Sequence, residues 1–438
     1  MYHYNDNYRM IKWIFIPKEV FMDNKNLLNA FVDKFGEGGD IRGYFAPGRV
    51  NLIGEYTDFN GGYVFPCGLT MGTYMVARKR ADRKINMYSL NFEKDGVIQS
   101  SLDEFVKGLE KNWTMYPKGV MWAFEEKGYQ LDCGYDILVY GNIPNGSGLS
   151  SSASLEVLTG IMLKDMNSKK DIKGMGSRNH IDGENGIEEM SLADIALIGQ
   201  YAENKYVGVN CGIMDQFAVA MAKKDYAIFL DTNNLSYKYV PLNLGNYKIV
   251  IASSNKKRSL ADSKYNERRS ECEKALALLQ TRKSIGCLCE LTVADFDEIK
   301  DAIEDDVLFR RAKHVIYENE RTKNAVTALE NNDIEEFGKL MNESHRSLRD
   351  DFEVTGIELD TLAEEAGKCE GVAGSRMTGA GFGGCTVSIV KDDCIDSFIN
   401  QVGSVYQEKI GYCADFYVAG VGDGAHKIDL DAEVHYDK

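Results

Sequence analysis

No run of this sequence is long and apolar enough to span a bilayer. Its first residues hold one short, mostly apolar stretch, Ile11 to Ile16, and no small-residue cleavage site follows. Positive charge is also scarce. The 51 Lys and Arg residues stand against 67 Asp and Glu, a formal net charge of -16. A nucleic-acid or acidic-membrane partner is therefore not expected, although a small anion would need only local donors. Metal-ligand spacings are missing too: the six histidines form no HxxxH set and the ten cysteines no CxxC pair, which argues against zinc. With only Cys287 and Cys289 close together, the cysteines read as free thiols of a cytoplasmic protein, not as a disulfide framework.

What is present is an ordinary globular composition, 44% hydrophobic and 27% charged. At 438 residues the chain exceeds the size at which one core keeps growing, so two domains are expected. Three glycine-rich islands punctuate it, at 43–68, 141–154 and 371–384. Strand-like runs adjoin the first two (Tyr74 to Ala77 and Tyr135 to Val139), and 154–166 suits a helix with Leu155, Leu158 and Met162 on one face. The polar stretch 167–189 reads as a surface loop or insertion. From Ile249 a buried strand, a polar turn and a long helix are expected. Helical patterning dominates 308–362, and a final strand is expected at 415–421. Strands and helices mix without regular βαβ alternation, which predicts an α+β fold.

The first island reads APGRVNLIGEYTDFNGGYVFPCGL over residues 46–69. Arg49, Glu55 and Asp58 fall within ten positions, among Gly48, Gly54 and the Gly61-Gly62 pair, with Tyr56 between the two acids. Fixed charges among turn-forming glycines suit a loop that holds a polar solute. The second island runs PNGSGLSSSASLE over 144–156. Small residues let backbone N–H groups converge on an anion, and a following helix adds its positive end. Hydroxyls of Ser150, Ser151 and Ser152 suit phosphate oxygens or a metal. The motif lacks the GK[ST] of a Walker loop, and taken alone a loop of this kind is more often an N-capped turn. In the third island, SRMTGAGFGGCTVSIV at 375–390, the glycines make either a tight turn or a second wall against a ligand.

Asp215, within NCGIMDQFA, has apolar neighbours in Ile213, Met214 and Phe217. It is either a cap for a helix starting at Gln216 or a general base kept ionised by a cationic partner. Glu203, twelve residues upstream, is either a solvated acid on a helix face or a hard oxygen ligand for Mg2+.

Together, in this order, the islands and the acid resemble the GHMP family of small-metabolite kinases. The likeness is sharpest to the galactokinase branch, whose signature G-R-x-N-L-I-G-E-H-x-D-Y-x-x-G is met here by GRVNLIGEYTDFNGG. It extends over nearly the whole chain from Leu27, through NCGIMDQFA and ESHRSLRDDFEVTGIELDTL (343–362). The resemblance implies a two-domain fold: an N-terminal α/β domain of a small-subunit ribosomal-protein type over 22–225, and a C-terminal α+β domain over 226–438. The active site is expected in the cleft between them. Residues 1–21 are expected to be an extension ahead of an alternative start at Met22.

The resemblance also implies roles. Asp215 corresponds to the catalytic base and Arg49 to its partner. Glu55, Tyr56, Asp58, Gly212 and Tyr265 correspond to sugar-holding residues. Ser89 and the loop Gly146, Ser147, Gly148, Leu149, Ser150, Ser151 and Ser152 correspond to the nucleotide site, with Ser152 and Glu203 as Mg2+ ligands. The implied reaction passes the γ-phosphate of ATP to the anomeric hydroxyl of α-D-galactose, the first step of galactose use by the Leloir pathway, in a monomeric cytoplasmic enzyme. Tyr56 and Phe59 depart from the family's histidine and tyrosine, which leaves open a galactosamine, galacturonate or L-arabinose substrate. A non-catalytic sugar sensor on the same fold would be expected to have lost part of the phosphate loop or the base, and both are present.

Overall fold

The computed structural model describes residues 23–107, 112–144, 147–168, 187–256 and 261–431. The 1–21 extension and most of the 167–189 stretch lie outside the described residues. The first half of the chain runs α1 (Asn24–Phe35), β1 (Ile41–Asn51), β2 (Tyr63–Val64), β3 (Pro66–Lys79), β4 (Lys84–Ser89), β5 (Ile98–Ser101), α2 (Met115–Glu126), β6 (Tyr135–Gly141), α3 (Ser151–Met166), α4 (Leu192–Ala202) and α5 (Met214–Met221). Next come β7 (Tyr226–Asp231), β8 (Tyr237–Pro241), β9 (Tyr247–Ser253), α6 (Ala261–Leu279), α7 (Val293–Ile299), α8 (Asp306–Glu330), α9 (Ile334–Asp350) and α10 (Ile357–Ala366). The chain closes with β10 (Val372–Thr378), β11 (Cys385–Lys391), α11 (Ile395–Ile410), β12 (Asp415–Ala419) and β13 (His426–Ile428).

Six strands form the first sheet, in the order β13-β1-β3-β6-β4-β5, antiparallel except where β4 runs parallel to β6. Side chains alternate across it, as the pleat requires. Met75, Ala77, Ile137 and Val139 face a core shared with α2 to α5, while Val76 and Leu138 meet Leu27 and Phe31 of α1. The second sheet, β10-β11-β9-β12, is fully antiparallel. Its Ile249, Ile251 and Val387 pack on α8 and α9, and its Val250 and Val390 pack on α10 and α11. A small third sheet joins β2, β7 and β8. The α+β expectation therefore holds.

Three details correct the sequence reading. α3 has no solvent-facing side over most of its length: every residue from Ala153 to Leu163 is buried, so it is a central helix and not a one-faced one. Its buried hydroxyls are satisfied locally, Ser154 Oγ donating to Ala46 O (2.9 Å) and Thr159 Oγ1 to Leu155 O (2.7 Å). Second, α5 begins at Met214, which puts Asp215 in its first turn and not at its cap. Third, the strand at 415–419 is followed by β13, which returns to pair with β1 through Gly43 and Ile428. Side-chain packing draws it there, because Leu430 buries itself beside Leu27 and Phe31.

The long β1–β3 hairpin positions the site. Its fourteen-residue connection, 52–65, is pinned by Leu52 N to Phe65 O (3.0 Å), Phe65 N to Ile53 O (3.1 Å) and Thr57 Oγ1 to Tyr63 O (2.7 Å). A bulge between Pro47 and Arg49 interrupts the β1–β3 register just before the loop.

Candidate active site

Arg49 emerges from that bulge, its backbone N–H donating to Leu149 O at 3.1 Å. Its guanidinium meets Asp215 as a fork, Nε to Oδ1 and Nη2 to Oδ2, both at 2.8 Å. Nη1 donates to Gly148 O at 2.7 Å, so one side chain ties Asp215 to the second island. The fork is nearly dry on the arginine side, 4% exposed, while the Asp215 side chain keeps 29% of its surface open to the cavity. A bidentate charge-assisted pair of this kind fixes the carboxylate in direction. Ser150 Oγ also donates to Asp215 Oδ2, at 2.6 Å, so this hydroxyl is committed to the acid. Ser150 has φ +62°, a left-handed conformation uncommon outside glycine and the small polar residues.

Past Ser150, α3 opens with Ser151 and Ser152 and has no acid in its first turn. Its first N–H groups lack intrahelical acceptors, and the helix end favours an anion. Ser147 Oγ is buried and has no hydrogen-bond partner among the described residues, and Ser147 is not among the residues lining the cavity. Gly146 lies outside the described residues. Leu149 turns its side chain into the core, so it contributes backbone only. Ser89, expected at a nucleotide contact, is not among the residues lining the cavity. It is buried at the end of β4, and its Oγ accepts from Asn91 N–H at 3.2 Å.

The cavity measures about 610 Å³ and brings together Arg49, Glu55, Tyr56, Asp58, Gly148, Ser150, Ser151, Ser152, Glu203, Gly212, Asp215 and Tyr265. Sequence positions more than 200 residues apart thus share one wall. Asp58 faces Gly212 so closely that a Cβ there would lie 1.9 Å from Asp58 Oδ2, which only glycine permits. Burial first, then the charges of Asp215 and Glu55, push the Asp58 carboxyl up to about 7. Burial and the Asp58 charge likewise raise the Tyr265 hydroxyl well above its ordinary value, keeping it a donor. Glu55 is held from behind, Oε1 accepting from Gly379 N–H (2.8 Å) and from Arg376 Nη1 (3.3 Å).

Glu203 ends α4 and is buried, not solvated; its Oε2 accepts from Gln216 Nε2 (2.6 Å) and from the Cys211 thiol (3.3 Å). The same Gln216 amide donates to Glu156 Oε2 at 2.9 Å. The fit to a cation is that of a hard-oxygen pair, Ser152 and Glu203, lining one cavity. Among the described residues no group of three or more His, Cys, Asp or Glu side chains is placed to hold a metal. Two protein oxygens suit Mg2+, which usually takes its other ligands from phosphates and water.

The galactokinase galactose-binding signature matches residues 29–79, and the GHMP kinase N-terminal and C-terminal domains match 115–223 and 325–408. Galactokinase of Clostridium acetobutylicum is 56% identical over 88% of this chain and 94% of its own length. That of Clostridium beijerinckii is 54% identical over 93% and 100%. The chain belongs to the galactokinase family. The crystal structure of Lactococcus lactis galactokinase complexed with galactose superposes with a TM-score of 0.86, at 47% identity over 92% of this chain and 99% of that one. Methanococcus jannaschii mevalonate kinase shares the fold alone, with a TM-score of 0.55 at 17% identity. As a galactokinase of the GHMP superfamily the protein is an ATP-dependent sugar kinase. All ten cysteines are free thiols, and no described helix is long and apolar enough to cross a membrane.

The sequence reading missed the apolar end of the cavity, where Val106, Met115, Tyr116, Tyr206, Val207 and Val209 line the wall. These residues come from a turn, a helix start and the π-helical turn after α4, and none sits in a motif. Gly379 and Ala380 of the third island also line it, which decides that island as a wall. Gln216 and Glu156 gave no signal, because a buried amide between two acids is a tertiary arrangement.

Proposed function

We propose that the enzyme transfers the γ-phosphate of ATP to the anomeric hydroxyl of α-D-galactose, giving galactose 1-phosphate and ADP. The observation that carries this reading is the Arg49–Asp215 fork, set between an acid-lined end of the cavity and the start of α3. Asp215 accepts the proton of the anomeric hydroxyl as its oxygen attacks. Arg49 holds that carboxylate in place and lies beside the transferring group. Glu55, Asp58 and Tyr265 take the sugar hydroxyls, Gly212 makes room for Asp58, and Tyr56 closes that end of the wall. The α3 N-terminus, Ser147, Gly148 and Ser151 hold phosphates, and the apolar end takes the purine. Ser152 and Glu203 would hold Mg2+, which supplies charge neutralisation to the phosphates when bound. Catalysis on this reading is mostly positioning and electrostatics.

Ten free thiols support a reducing, cytoplasmic compartment. The test is ADP release over a panel of galactose, galactosamine, galacturonate and L-arabinose, with Asp215→Asn alongside. Galactose is expected to turn over fastest, and the variant to lose roughly 10³-fold in kcat, within the range for a lost general base. Preference for another sugar would overturn the substrate. A variant with near-normal kcat would remove Asp215 as the base.

A further inference from the structure

Two consecutive residues of the sugar loop grip two consecutive residues of the third island. Glu55 Oε1 accepts from Gly379 N–H at 2.8 Å, and the Tyr56 hydroxyl donates to Ala380 O at 2.5 Å. The far side of the same turn leans on the phosphate loop. A Cβ on Gly379 would stand 2.8 Å from Gly148 O and 3.7 Å from Arg49 Nη2. Gly148 O is the acceptor that Arg49 Nη1 already uses. One short turn is therefore the common wall between the residues that face the sugar and the backbone that faces the phosphates.

Tyr56 is built for this reach. Its backbone has φ +66°, an outlier for an aromatic residue, and its side chain is only 4% exposed. The ring packs against Phe352 at 4.6 Å and Tyr265 at 5.4 Å between centroids. Asn60 Nδ2 donates to Tyr56 O at 2.9 Å, fixing the strained backbone from below. A strained, over-determined residue at a site wall is a sign of function. The packing places the ring, and the hydroxyl then sets where Ala380 stands.

We propose that Tyr56 is a positioning residue that couples the two substrates, its hydroxyl holding the 379–380 turn in the one place where it serves both loops. This rests on the reading of the site as that of a galactokinase. Replacing Tyr56 by Phe keeps the ring packing and the acids of the sugar end but deprives Ala380 O of its donor. Of the two bonds from the sugar loop the turn then keeps only that from Glu55, its place against Gly148 O is less firmly set, and sugar seated against Glu55 positions the phosphate loop less well.

The experiment is calorimetry of galactose and of a non-hydrolysable ATP analogue, each alone and with the other saturating, on the wild type and Tyr56→Phe. In the wild type each ligand tightens the other by a common factor, as linkage demands. In Tyr56→Phe, galactose alone is expected to bind within about two-fold of wild type, while the coupling factor falls about five-fold, the weight of one hydrogen bond. The kcat/KM for ATP is expected to fall as well. Independent binding in the wild type, or an unchanged factor in the variant, overturns the proposal. So does a loss of galactose affinity as large as the loss of coupling, since the hydroxyl would then be a plain sugar contact. Failure of the wild type to phosphorylate galactose would instead sink the galactose reading, whatever the variant does.

Discussion

Asp58 carries the pH signature of this site. A carboxyl titrates near 4 in an unfolded chain, and here it is pushed up to about 7 by burial and two neighbouring acids. Between about pH 4 and 7 the sugar-free fold therefore holds a proton that the unfolded chain has released. The resulting stabilisation is full below pH 4 and is lost as the pH rises through 7. On the proposed reading sugar hydroxyls donate to Asp58 and favour its charged form, so galactose binding near pH 6 is expected to expel close to one proton. Calorimetry in two buffers of different ionisation enthalpy reads this directly, and zero release at pH 6 would take Asp58 out of the sugar contacts. Arg49, Glu55, Asp58 and Asp215 were all legible as candidates, because charge among glycines is rare in cores. The pairing of Arg49 with Asp215, 166 positions apart, came only with the family resemblance and the fold.

At the scale of elements, α3 and α5 are joined by a polar contact inside an otherwise apolar core. Gln216 is fully buried and splits its amide between Glu156 and Glu203. Gln216→Leu would remove the buried amide that both acids share, and a loss of about 2 kcal/mol or more is expected in urea unfolding of the sugar-free enzyme. A variant as stable as the wild type would mean that the two acids find other donors. The periodicity of 154–166 placed this helix but promised only one buried face. Its start at Ser151 rather than Ser154 reflects the left-handed turn at Ser150, which composition does not announce. The same limit hid the apolar end of the cavity, since Val106 and Met115 look like any loop or helix residues.

Across the whole molecule, the first sheet is completed by residues nearly 400 positions from its first strand. Leu430 fills the space that Gly43 leaves open, the nearest atoms standing 2.6 Å from where a Cβ would be, and it buries against Leu27 and Phe31. Leu430→Ala is expected to cost about 3 kcal/mol in chemical denaturation while leaving kcat unchanged, because the site lies elsewhere. A changed kcat with unchanged stability would reverse that assignment. The α+β class and the order of the main elements were legible, since each is a local pattern. The return of β13 was not, for a three-residue strand carries too little pattern to name its partner.

The same strand sets a timetable for the cell. β1 leaves the ribosome well before its outer neighbour, since Ile428 follows its partner Gly43 by 385 residues. Until β13 is made, β1 presents an unpaired edge, the kind of surface on which nascent chains stick to one another. An enzyme whose sugar loop hangs from that strand is thus sealed at its first sheet by a segment made long after it.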